Sequence, residues 1–159
     1  MPASKVRVLL FLSSLVEALF ALDLAATGGV FFIAYYLMQS KPGEVIANDD
    51  LLKILPISVR SSSAILIIGI LCVLRALLML LVVHLGRRWA KGKGSLTALY
   101  RTSFINLVID LLLIFSLGVQ GTLGNNSFWF SIAGLLAATF IFWCADIERE
   151  RISLAEDLS

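Results

Sequence analysis

Four long apolar stretches dominate the chain, separated by shorter segments in which glycine, proline, asparagine and charged residues collect. Apolar runs of about 18 residues or more mark helices able to cross a hydrocarbon core about 30 Å thick. The pattern predicts such helices over about 8–38, 64–85, 104–119 and 128–145, followed by a tail, 146–159. The expected fold is all-α: an integral membrane four-helix bundle occupying the whole chain as one transmembrane domain.

The first run follows Lys5 and Arg7, as the apolar part of a secretory signal would. Such regions are only about 7–15 residues long. This one is about twice that length and contains Glu17 and Asp23, which predicts a retained anchor. At 1.5 Å per residue it would extend about 46 Å as a helix. It is therefore expected to tilt, protrude or break near Gly28-Gly29.

Composition removes the water-soluble alternative. Of the 159 residues, 59% are hydrophobic and 15% charged, with a mean hydropathy of +0.94, whereas soluble domains average about 25% charged residues. A chain this small cannot bury so much apolar surface in one aqueous core. Its net charge of +2 is too small for a nucleic-acid partner, which needs a dense basic patch. The bilayer is the expected first partner.

Lysine and arginine counts in short loops set the expected orientation. Residues 86–102 carry Arg87, Arg88, Lys91, Lys93 and Arg101 with no acid, while 39–63 offset Lys41, Lys53 and Arg60 with Glu44, Asp49 and Asp50. Lys5 and Arg7 precede the first helix, and Arg149 and Arg151 follow the fourth. Both termini and the basic loop are thus expected in the cytoplasm. Phe31, Phe32, Tyr35, Tyr36 and Trp129 fall at the outer boundary and Trp89, Tyr100 and Trp143 at the inner one, where aromatic anchors belong. Between the first two spans, Asn48 to Leu55, stopped by Pro56, predicts a short surface helix with Asn48 as its cap.

Four ionisable residues fall inside the spans. Counting 1.5 Å per residue from the cytoplasmic boundary places Glu17 about 13 Å deep, Arg75 about 16 Å, Asp110 about 12 Å and Asp23 about 22 Å. Charges at such depth face the bundle interior or water. The guanidinium fork of Arg75 can bind two carboxylates, so Arg75 is expected to bridge Glu17 and Asp110. Asn106, one turn before Asp110, and Ser13, one turn before Glu17, would complete the hydrogen bonding. Asp23 has Thr27 one turn on, with protonation or water exposure as its remaining recourse.

Ser131, Gly134 and Ala138 share a face of the fourth helix and allow close helix approach, either inside the bundle or between copies. The tail places Ile147, Leu154 and Leu158 at helical spacing among charges, an amphipathic extension able to dock on the protein itself, on lipid or on a partner. His84, the one histidine, lacks nearby ligands, and Cys72 and Cys144 form no metal or disulfide pattern. Lys91-Gly92-Lys93-Gly94-Ser95 lacks the earlier glycine and strand of a phosphate loop and is read as a flexible basic loop. Neither a catalytic constellation nor a cofactor or metal site emerges.

The loop Arg87-Arg88-Trp89-Ala90-Lys91-Gly92 with its polar-started third helix, Ser95 to Arg101, resembles that of the YoaS-like family of small bacterial four-helix membrane proteins. The ending Ala145-Asp146-Ile147-Glu148-Arg149-Glu150-Arg151, then Leu154-Ala155-Glu156-Asp157-Leu158, is similar to that family's acidic amphipathic tail. The resemblance covers about the last hundred residues. The loop's usual glycine-polar-Phe step reads Gly94-Ser95-Leu96 here, and the tail is shorter. The resemblance implies no activity; because such proteins are often encoded beside helix-turn-helix regulators, it implies a membrane-bound regulatory partner role. Together these readings predict a non-enzymatic accessory subunit or membrane-tethered regulator in the bacterial inner membrane, working through another membrane or cytoplasmic protein. The alternative is a small oligomeric ion or proton channel or transporter, titrating Glu17, Asp23 and Asp110 around Arg75.

Overall fold

The structure is a computed structural model that describes residues 3–40, 62–119 and 126–157. These residues form four helices: α1 (Ala3–Ser40), α2 (Ser62–Ala90), α3 (Leu96–Val119) and α4 (Asn126–Asp157). All four are long and apolar enough to cross a membrane. Each runs past the apolar stretch that announces it, because a helix ends at a capping signal and not where its side chains turn polar. The surface helix expected at Asn48–Leu55 lies outside the described residues.

Apolar side chains stand outward on every helix; Leu19, Leu71, Leu112 and Leu136 are each more than half exposed. Several hydroxyl groups on these apolar helices bond to their own backbone. Thr102 Oγ1 donates to Ala98 O at 2.8 Å, Ser103 Oγ to Tyr100 O at 3.0 Å and Thr139 Oγ1 to Leu135 O at 2.7 Å. Each hydroxyl hydrogen is thereby satisfied without water.

α1 is one unbroken helix of 38 residues, about 57 Å long at 1.5 Å per residue. Gly28 and Gly29 do not break it, which settles one of the sequence alternatives. A helical glycine costs only about 1 kcal/mol relative to alanine, little against the backbone hydrogen bonds a break would open.

The chain divides into two compact units, residues 1–20 with 78–159, and residues 21–77. In the first, Val6 and Leu10 of α1, Val82 of α2, Leu99 of α3 and Ile141, Cys144 and Ala145 of α4 form one buried cluster. The cluster joins the start of α1, the end of α2, the start of α3 and the later part of α4, so consecutive helices run antiparallel. Phe142 of α4 packs between Tyr100 and Phe104 of α3, with ring centroids 5.1 Å and 5.7 Å away.

The second unit pairs the later part of α1 with the earlier part of α2 through two glycines. A Cβ on Gly28 would lie 2.9 Å from Val73 Cγ2, 3.2 Å from Gly69 O and 3.3 Å from Cys72 Cβ. A Cβ on Gly69 would lie 3.2 Å from Phe31 Cβ and 3.4 Å from Gly28 O. Each glycine is the gap that admits the other helix's backbone, the close approach that small residues permit. Gly28 is therefore a packing residue.

Candidate functional site

The polar centre of the first unit lies between α1 and α3. Glu17 and Asn106 are fully buried, and Asn106 Nδ2 donates to Glu17 Oε1 at 2.7 Å. α1 delivers Glu17 there because Val6, Leu10, Ser14 and Glu17, spaced by four, four and three residues, form one buried stripe. α3 delivers Asn106 one turn beyond buried Ser103.

The serine of this layer is Ser14; Ser13 is only half-buried. The spacing i+3 puts Ser14 on the buried stripe, where i+4 had pointed to Ser13. Ser14 Oγ makes no hydrogen bond among the described residues and fits against Gly86 of α2, where a Cβ would lie 2.9 Å from it. Gly86 escaped the sequence reading, since a lone glycine near a helix end has no pattern.

Asp110, one turn after Asn106 on α3, is half-buried. Arg75 belongs to the second unit, where it is 8% exposed. Asp23, also in that unit, stands on the outer side of α1 together with Thr27; both are exposed. Glu17 and Asp23, six residues apart on one helix, thus have opposite environments.

At the end of the first unit where the core cluster lies, basic residues gather. Arg87 and Arg88 close α2, and Lys91 and Lys93 occupy the turn to α3. That turn differs from the flexible loop expected. Gly92 N donates to Trp89 O at 2.8 Å and Lys93 N to Arg88 O at 2.9 Å, around a left-handed Gly92 with φ of 72°. This is the paired closure of a glycine helix stop. Ser95 then caps α3, its Oγ accepting from Ala98 N at 3.2 Å. The backbone is held at both sides, so Lys91 and Lys93 project from a fixed turn. Exposed Arg101 lies just inside α3.

Two arginines lie over rings at this end. The Arg87 guanidinium is 5.8 Å from the Phe11 ring centre and that of Arg149 is 4.8 Å from Tyr100. Ile147 is the last α4 residue packed on the core cluster. Glu148 beside it is buried, with Oε1 3.5 Å from Arg151 Nη1. From Arg149 to Ala155 every residue is exposed. The tail is thus a helical continuation of α4 that leaves its own core after Glu148, and Ile152 and Leu154 are uncovered. His84 is exposed on α2.

The small-residue face of α4 is turned inward. Gly134 and Ala138 are buried, Ser131 is half-buried, and a Cβ on Gly134 would meet the Phe20 ring at 3.9 Å. It packs α4 on α1 through Gly134 and Phe20. No group of three His, Cys, Asp or Glu side chains among the described residues is placed to hold a metal ion. The chemistry of the Glu17–Asn106 pair is that of a hydrogen-bonded helix clasp. Comparisons with protein-family models, curated proteins and solved structures find no match to this chain.

Proposed function

We propose that the chain is an integral protein of the bacterial inner membrane that acts without a reaction of its own, as an accessory subunit or membrane-tethered regulator of another protein. Lipid is the solvent that suits leucines exposed on all four helices. Both termini and the α2–α3 turn face the cytoplasm in this reading, which the basic residues at the start of α1, the end of α2 and the start of α3 support.

The observation that carries the partner role is the α4 extension. Seven consecutive residues, Arg149 to Ala155, are exposed on a helix that continues beyond its core. Arg149, Glu150 and Arg151 followed by Ile152 and Leu154 suit an interface with a protein surface of matching polarity. The resemblance to YoaS-like proteins adds the expectation of a regulatory partner. Gentle extraction of the native membranes, with mass spectrometry of what co-purifies, tests the reading. A stoichiometric partner is expected that is lost when the chain ends at Arg151. Retention of every associated protein by the shortened chain would defeat it.

Glu17 and Asn106, buried and hydrogen-bonded at mid-span, favour a second reading, a proton or ion path in an oligomer. Liposomes carrying a pH dye test it, and equal flux for the native chain and Asp110→Asn would count against it.

A further inference from the structure

The exposed carboxyl of Asp23 is the feature that neither the helix clasp nor the α4 extension uses. It stands near the middle of α1, about 30 Å from one end and about 26 Å from the other at 1.5 Å per residue. A hydrocarbon slab about 30 Å thick, placed anywhere along the helix, therefore reaches it. Within its unit, Ala21 is buried and Gly28 packs against α2, while Asp23, Ala26, Thr27 and Val30 are exposed. The latter four, at i, i+3, i+4 and i+7, make one helix face. A Cβ on neighbouring Gly29 would meet nothing within 4 Å. The Asp23 carboxylate takes part in no hydrogen bond or ion pair among the described residues.

We infer that this face of α1 binds a membrane-spanning helix of a different protein, which presents a lysine or arginine to Asp23. Charge complementarity selects that occupant. A carboxylate facing hydrocarbon is costly, and intramembrane acids pair with basic groups or face water. A second copy of the chain cannot supply the basic group from the described part of its spans. Their basic residues lie near the helix ends except Arg75, and Arg75 is buried. Ala26 and Thr27 beside Asp23 are small enough to let a partner backbone come close, and the Thr27 hydroxyl adds a polar group one turn from the carboxylate. The inference rests on the membrane-spanning part of the proposed function and concerns a surface distinct from the α4 extension.

The test is photocrosslinking in native membranes, with benzoylphenylalanine replacing Val30. The expected product is one adduct to another polypeptide, whose crosslinked segment is a spanning helix containing Lys or Arg. Asp23→Asn is expected to lower its yield at least tenfold, and Asp23→Glu to preserve it. Adducts to lipid alone, no adduct, or an adduct of two copies overturns the inference. So does a partner segment without a basic residue, or a yield indifferent to Asp23→Asn. Carbonate washing of the same membranes reports insertion separately, and a chain released by it overturns both readings. Repeating the crosslink with the chain ended at Arg151 separates the two surfaces. An adduct that persists when no tail-dependent partner is found leaves the α1 surface standing and removes the α4 one.

Discussion

Asn106 donates a 2.7 Å hydrogen bond to Glu17 across 89 residues of sequence, and neither side chain reaches the surface. This bond ties the third helix to the first and fixes their register, because an amide and a carboxyl inside an apolar bundle each lose heavily without a partner. It is the strongest single check on the packing of the first unit.

Asn106→Leu is therefore expected to destabilise the chain by about 0.5–2 kcal/mol. Glu17→Leu should cost a similar amount. The double variant should cost less than the two singles together, since replacing both partners leaves no orphaned group. Reversible unfolding in mixed micelles measures all four members of the cycle; strict additivity would show that the bond does not couple the helices.

Adjacent glycines of α1 are expected to behave oppositely. Gly28→Val must push its added atoms into Val73, Cys72 and the Gly69 carbonyl, at an expected cost of about 1–3 kcal/mol for overpacking. Gly29→Ala meets open space and should be neutral or stabilising by up to about 1 kcal/mol from helix propensity. Equal effects in the same unfolding assay would disprove the glycine crossing of α1 and α2.

The α2–α3 turn has its own signature. Gly92 and Gly94 have φ of 72° and 137°, and left-handed backbone costs an ordinary residue about 1–2 kcal/mol. Gly92→Ala should lose stability by about that amount, and Gly94→Ala by more, because its φ lies where almost only glycine is found. Hydrogen exchange at the amides of Gly92 and Lys93 should speed up in both variants. Unchanged protection would mean that the turn is not held by those bonds.

Removing the α4 extension should leave the bundle intact. A chain ended at Arg151 loses Ile152 to Ala155, all exposed, with the residues after them, and keeps Arg149 over Tyr100. Its unfolding midpoint is expected to match the full chain. Arg149→Ala, which removes the cation over the ring, should cost about 0.5–1 kcal/mol. A large loss on truncation would assign the extension to the fold.

Much was legible in the sequence. Apolar run length alone determines four helices able to cross a membrane, because backbone groups in such runs find partners only within a helix. The stop at Gly92 and the cap at Ser95 were missed, because the stretch Lys91 to Ser95 reads as a flexible basic loop. Counting rise from one boundary put Glu17, Arg75 and Asp110 at one depth, with Asn106 one turn from Asp110, and the bond from Asn106 to Glu17 came from the packing. Which side of each helix faces inward could not be found that way. In a soluble helix the polar face marks the outside; here apolar residues cover every face, since side chains suited to lipid are the same ones suited to the core. Only the tertiary packing chose Ser14 over Ser13, made Gly28 a contact instead of a break, turned the Gly134–Ala138 face inward, and placed Glu17 inside while leaving Asp23 outside on the same helix.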